Sequence, residues 1–238
     1  MRSGDLMKRF WKMVTTEQTD DGWRVLLDGR PVSTPARRPC FVPVSEMAAE
    51  IAEEWAAQEE DVRPLEMPMT RTAATCLDRV SPHLEDVRAS LAAYGETDLI
   101  CYRAERPREL IDRQCEGWDP LLDWASKELG ATLKTGHGVM HVAQAPRAID
   151  RLADALQGLN AWQLTAMADL IQISGSLVLA LAVERRRLDA GQAWHLSRID
   201  EQWNIEEWGD DEEAASLAAR RETDFRHAAK VLGYLSRS

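Results

Sequence analysis

The stretch from Leu164 to Val183 is the most apolar in the chain and constrains it most. It approaches the length that crosses a bilayer, and Arg185, Arg186 and Arg187 follow it as a basic flank. Asp169, Gln172, Ser174 and Ser176 interrupt it, however, and at bilayer depth none of them would have a visible partner. The same residues suit a helix, or a helix pair hinged near Gly175, buried at the centre of a helical lobe. The surrounding sequence supplies a shell for it. From Pro146 onward the pattern is helical throughout, predicting helices over roughly 146–158, 161–187, 189–207 and 211–235.

The first 44 residues read differently. Phe10–Thr16, Trp23–Leu27 and Cys40–Val44 are short, rich in β-branched or aromatic residues, and separated by turn formers. Asp28-Gly29-Arg30-Pro31 is the clearest hairpin signal, because Asp-Gly readily takes the positive φ angles of a tight turn. Ser45 is placed to cap a helix running to about Glu59, with Met47, Ile51, Ala52 and Trp55 on its apolar face. Pro64 and Pro68 end it. Thr70–Val80 predicts a second helix broken at Ser81-Pro82, and His83–Tyr94 a third, closed by Gly95 as a left-handed cap. Gly95–Arg106 connects the lobes, with Leu99–Tyr102 as an optional strand. Pro107–Gly130 is expected as two helices, the second opened by Pro120. Thr132–Lys134 and Val139–Val142, flanking Gly136-His137-Gly138, suggest a small hairpin. The expected fold class is α+β: a small antiparallel β-rich N-terminal lobe with short helices (residues 1–95), followed by a larger, mostly helical C-terminal lobe (residues 96–238).

Forty acidic against 29 basic residues give a net charge of −11, which repels phosphate backbones and anionic lipid. No nucleic-acid partner and no membrane insertion are therefore expected. Met1–Arg9 holds no apolar run of signal-peptide length, which points to a chain that stays inside the cell. Its four cysteines, Cys40, Cys76, Cys101 and Cys115, form no CxxC pair and read as reduced thiols. His137 and His141 are four apart, but no acidic third ligand lies close by in sequence, so no metal and no cofactor are expected. No phosphate-cradling or nucleophile motif is present, and Ile173-Ser174-Gly175-Ser176 lies in an apolar helical run without a preceding strand. The chain thus reads as no enzyme. The competing readings are a carboxylate-based enzyme and a small-molecule binder with a cleft between the lobes.

One region stands out for recognition. Asp200, Glu201, Glu206, Glu207, Asp210, Asp211, Glu212 and Glu213 form a dense acidic run, which by itself is an ordinary solvated helix face. Trp194, Trp203 and Trp208 are interleaved with it, and tryptophan is enriched where proteins grip one another. Some of these rings belong to the core. The others would make an acidic, aromatic-lined surface for a partner with a basic or polar-apolar face.

Several blocks occur together in order: Arg9-Phe10-Trp11-Lys12, Gly22-Trp23, Leu27-Asp28-Gly29-Arg30-Pro31-Val32, Glu54-Trp55, Met67-Pro68-Met69-Thr70-Arg71, Asp78-Arg79-Val80 and Thr97-Asp98-Leu99-Ile100-Cys101-Tyr102-Arg103. Trp118-Asp119-Pro120-Leu121, Ser174-Gly175-Ser176-Leu177 and Ile199-Asp200-Glu201-Gln202-Trp203 continue the series to Glu207-Trp208-Gly209. From about residue 9 to 225 the chain resembles the assembly chaperones of the F-type ATP synthase α subunit found in mitochondria and α-proteobacteria. The resemblance implies a β-rich lobe joined to a helical one, and an activity of holding the unassembled α subunit without ATP hydrolysis. It also implies that the surface α will present to β is shielded, and that a critical acid lies within Asp200–Glu213, carried over here to Glu201 and Glu212. The expected partner-binding residues are Glu201, Trp203, Glu206, Trp208, Asp210 and Glu212, on a chaperone that is monomeric when free. The expected location is the bacterial cytoplasm, or the mitochondrial matrix for a trimmed eukaryotic form.

Overall fold

The computed structural model describes residues 7–236, so the first six residues of the Met1–Arg9 stretch and the last two of the chain lie outside it. Two compact units are present. One gathers the chain up to Leu84 with Ala161–Thr165 and the residues from Val231 onward; the other gathers Glu85–Asn160 with Ala166–Lys230.

In the first unit β1 (Val14–Thr19) pairs antiparallel with β2 (Gly22–Leu27), Val14 opposite Leu27 and Thr19 opposite Gly22. β2 turns directly into β3 (Arg30–Pro31), with Asp28 and Gly29 at φ of 48° and 79°, the geometry that Asp-Gly favours. β4 (Phe41–Val42) pairs with the start of β2. There Gly22 is required: at φ 124° a Cβ would lie 2.7 Å from the Val42 carbonyl oxygen. The sheet begins at Val14 rather than Phe10, because the amides of Lys12 and Met13 are taken by the Asp28 carboxylate at 3.1 and 2.8 Å.

α1 (Ser45–Ala57) lays Met47, Ile51 and Trp55 inward against β1 and β2, and Trp55 meets Trp11 edge-on with centroids 5.1 Å apart. Ser45 does not cap it. Val44 occupies the cap position, and the Ser45 hydroxyl donates to Glu46 at 2.9 Å. α2 (Pro68–Thr75) opens on proline, which has no amide to orphan, and the free amides of Met69 and Thr70 donate to Glu54 at 2.5 and 2.8 Å. Helical backbone continues through the wide turn Cys76–Val80 and the tight turn Ser81–His83 into α3 (Leu84–Ala92), so Pro82 breaks nothing: it sits in the first turn of a new segment.

Gly95 is not a left-handed cap. It lies in the tight helical turn Ala93–Thr97, in the second unit, where a Cβ would come within 2.7 Å of Leu152. In that unit α4 (Arg108–Trp124) is one helix with Pro120 inside it, not two. Leu110, Gln114, Trp118 and Leu121 share its buried face on both sides of the proline, and the Trp118 indole donates to the Leu196 carbonyl at 2.8 Å. That packing offsets the roughly 3 kcal/mol an interior proline costs.

The expected hairpin around Gly136 is also absent. β6 (Gly136–His137) pairs in parallel with β5 (Tyr102–Arg103), so its backbone is satisfied by a distant strand rather than by its sequence neighbours.

α5 (Pro146–Gln157) ends on carbonyls that accept from a buried cation: Arg88 donates to Leu156 and, just beyond the helix, to Leu159, at 3.1 Å each, and also pairs with Glu85. The apolar segment divides at Gly175 (φ 73°) into α6 (Ala161–Ser174) and α7 (Leu177–Glu184), with every residue from Leu177 to Val183 buried. No helix of the described residues is long and apolar enough to cross a membrane. The orphan amides at the start of α7 are met from two directions. Ser176 Oγ accepts from Leu179 at 3.0 Å, and the wholly buried Asp98 accepts from Val178 at 3.0 Å and from Ile100 at 3.2 Å.

The predicted 189–207 helix is two. α8 (Ala190–Ser197) and α9 (Ile199–Trp208) part at Arg198, whose φ of −118° lies outside the helical range. Asp200, on the first turn of α9, is held by Gln114 of α4 at 2.5 Å. α10 (Glu212–Leu235) follows.

Two consequences can be measured. Burial pushes the Asp98 carboxyl up to about 6, against the Ser176 and backbone hydrogen bonds that pull it down from the other side. The folded chain therefore holds this proton more tightly than the unfolded chain, whose carboxyl titrates near 3.8. Its stabilisation is complete below about pH 4 and is lost as pH rises through 6, a swing of about 3 kcal/mol. In thermal unfolding across pH 4 to 7, the stability of the wild type relative to Asp98→Asn should fall with rising pH; a flat difference would contradict the assignment. Arg88→Met should destabilise by about 2–4 kcal/mol in urea unfolding, because it strands the carbonyls of Leu156 and Leu159, and Arg88→Lys should recover only part of that.

Candidate partner-binding surface

The acidic run falls on α9, the bend at Gly209, and the start of α10, all in the second unit. Its bend has a local cause. α9 stops at Gly209 (φ 88°), and Asp211 then starts α10 by accepting the Ala214 amide at 2.8 Å. Glu212 and Glu213 occupy the first turn of α10, where negative charge is favoured by the helix dipole.

The three tryptophans separate cleanly. Trp194 is half-buried, its ring tilted against buried Phe225 at 5.8 Å with the Arg198 guanidinium 5.5 Å over it. Trp203 is half-buried beneath Arg113, 5.1 Å from its ring. Trp208 is different: it is 85% exposed.

The acids divide the same way. Glu206 forms a two-pronged pair with Arg113 at 2.9 and 2.8 Å, and that hydrogen bonding holds its carboxyl below the usual range. Both partners are substantially exposed, so the pair adds little to stability. Glu201 pairs with Arg198 at 2.7 Å. Asp200 is engaged with Gln114. Glu207, Asp210, Glu212 and Glu213 stand exposed on the surface. Of the six expected partner-binding residues, Trp208, Asp210 and Glu212 are thus presented to solvent, while Glu201, Trp203 and Glu206 are tied to arginines of the same unit.

Sequence reading missed two apolar members. Ile205 is 41% exposed and one helical turn from Trp208 on α9, and Leu217, on the second turn of α10, is 54% exposed. The i, i+3 spacing of Ile205 and Trp208 carried the first; nothing in the helical pattern of α10 marked the second. Ile205 also borders an open groove of about 430 Å³ whose α10 side is formed by Ala215, Ala218 and Ala219, with Asp210 and Glu201 on its rim. The arrangement offers shape, apolar area and negative charge. Elsewhere, burial pushes the Cys40 thiol up to about 11 and those of Cys76 and Cys101 up to about 12, so these are not nucleophiles near neutral pH. His137 is turned to the Ala104 carbonyl at 3.3 Å, and among the described residues no group of three His, Cys, Asp or Glu is placed to hold a metal.

Comparison with known proteins shows the family of the chain as a whole. The model of the ATP12 chaperone protein family matches residues 8–126. Over 222 residues the chain is 26% identical to the mitochondrial protein atp12 of Schizosaccharomyces pombe, covering 88% of this chain and 76% of that one. The crystal structure of Atp12 from Paracoccus denitrificans superposes with a TM-score of 0.90 at 44% identity, covering 95% of this chain and 97% of that one. A solved protein of Agrobacterium tumefaciens gives 0.91 at 39% identity, covering 97% and 87%. The chain belongs to the ATP12 chaperone family, a family of chaperones rather than enzymes.

Proposed function

We propose that this chain is an assembly chaperone of the F-type ATP synthase, which captures the unassembled α subunit and covers the surface that α later presents to β. Membership of the ATP12 chaperone family supports the chaperone role. The observation that carries the rest is Trp208, a large aromatic side chain left 85% in water, flanked in sequence by exposed Glu207 and Asp210, which hold no ion pair among the described residues. An unassembled subunit exposes an apolar joint of the size that obligate complexes bury, often beyond roughly 2,000 Å². A cover for it must be apolar enough to adhere and polar enough to leave.

Trp208, Ile205 and Leu217 supply the contact area, and Glu207, Asp210 and Glu212 choose the orientation by meeting basic groups on α. Glu201 and Glu206 act at one remove. They are already engaged, with Arg198 and with Arg113 of α4, so their charges are less available to α than those of Glu207, Asp210 and Glu212. The net charge of −11 keeps free copies apart, in keeping with a monomer, and the setting is the bacterial cytoplasm or the mitochondrial matrix.

Trp208→Ala should weaken capture of purified α by roughly 30-fold, the scale of an interface hot spot, with an unchanged unfolding midpoint because the ring packs on so little. Glu212→Lys should weaken capture by a smaller factor and reduce its salt dependence, at a cost in helix stability of about 0.3–1 kcal/mol from the reversed charge at the start of α10. A pull-down with circular dichroism as the folding control decides it. Capture at wild-type strength by both variants would sink the assignment.

A further inference from the structure

A second feature of the same unit lies outside the acidic corner. Between Ala131 and Ala145 the chain leaves the helices as a projecting loop, and Val139 and Met140 at its tip are 99% and 76% exposed. Single exposed apolar residues are ordinary on protein surfaces. This pair is distinguished by the bracing beneath it.

At the base, the Gln144 amide grips the backbone of Lys134 from both sides, accepting from its amide at 2.8 Å and donating to its carbonyl at 3.0 Å. Halfway up, β6 pairs with β5, and the Gly138 amide donates to the Arg103 carbonyl at 2.8 Å. Gly138 has φ 71°, a left-handed backbone that favours glycine at this point of the loop. The support is itself fixed: Arg103 is buried, donates to Asp119 of α4 at 2.6 Å, and lies 5.1 Å over the Trp118 ring. The loop is therefore held in place while its two apolar side chains gain nothing from the fold.

Beside the tip lies an open groove of about 410 Å³, reached by His141 and floored by Pro146 and Ile149. Two exposed carboxylates, Glu96 and Asp150, stand on its rim, and neither holds an ion pair with a described residue. Glu96 is set there by the tight turn Ala93–Thr97, whose Gly95 sits close against Ile149 and Leu152.

We infer that the Val139–Met140 tip and the adjoining groove form a second docking surface for the α subunit, which grips a segment of α carrying an apolar residue next to a lysine or arginine. The apolar residue rests on Ile149 and Pro146 in the groove that His141 joins to the tip, and the cation meets Glu96 and Asp150, whose charges, free of ion pairs with the described residues, are what select a basic segment. The inference rests on the reading that α is the client. It differs from that reading in placing a contact on a surface separate from the α9–α10 corner, so that the two grips share one bound molecule.

Capture of purified α by the full chain, followed by titration at low and moderate salt, tests both. Val139→Ser with Met140→Ser should weaken capture tenfold or more while leaving the unfolding midpoint unchanged, since neither side chain is buried. Glu96→Gln with Asp150→Asn should weaken it several-fold and flatten its salt dependence. If the wild type fails to hold α, the proposed function falls and this surface falls with it. If the wild type holds α and either double variant does so equally well, the second docking surface alone is overturned.

Discussion

A helix that is apolar on every side can be buried only if its first turn is satisfied from within the protein, because no water reaches the amides that lack an intrahelical partner. α7 meets that condition through Asp98 and Ser176. Asp98 comes from the turn after Thr97, far away in sequence, and its second oxygen accepts from Ile100, so one buried carboxylate joins the start of α7 to the segment leading into β5. Backbone bonding from Leu99 to the Gly175 carbonyl at 3.0 Å closes the same joint. The free energy gained by burying Leu177–Val183, about 1.5–3 kcal/mol for each large side chain, is available only while this junction is formed.

The same device recurs across the chain. Glu54 receives the amides at the start of α2; Asp78 accepts from the Thr34 hydroxyl at 2.7 Å and the Ala36 amide at 3.0 Å; Asp119 holds Arg103; Asp200 holds Gln114. Gln114 in turn accepts the Ala104 amide at 2.8 Å, so α4 fastens the β5 segment on one side and α9 on the other. These acids work as internal fasteners. They are also the acids embedded in the sequence blocks that resemble the chaperone family, so those blocks report the scaffold more than the binding face.

This explains how much could be read from sequence. The Asp-Gly turn, the apolar face of α1 and the hinge at Gly175 were legible because each is a local rule: φ preference, helical spacing, a break in an apolar run. Pro120 inside α4 was not, since the buried positions that carry the helix through it, Trp118 above all, are satisfied by Leu196 nearly eighty residues away. The pairing of Gly136–His137 with Tyr102–Arg103 failed for the same reason, because parallel partners leave no signal in neighbouring residues. At the candidate surface, sequence located the acids and tryptophans but could not sort them. Only the positions of Arg113 and Arg198 separate Glu206 and Glu201, which are engaged, from Asp210 and Glu212, which are not.

The sorting bears on how such a surface can release what it holds. A face whose charges were all unpaired would bind a basic joint through long-range attraction alone, and would bind many proteins so. On α9, Glu201 and Glu206 are already paired with arginines and Asp200 is held by Gln114, which leaves Glu207 and the acids beyond the Gly209 bend as the exposed charge on either side of the exposed Trp208. Under the proposed function, apolar contact from Trp208 and Ile205 would be small beside the joint of an obligate complex, and a subunit offering that larger area would displace the chaperone by burying more of the same surface. The proposed binding, through a few exposed apolar side chains with charge beside them, would thus be specific in orientation yet limited in strength, which is what transient cover requires.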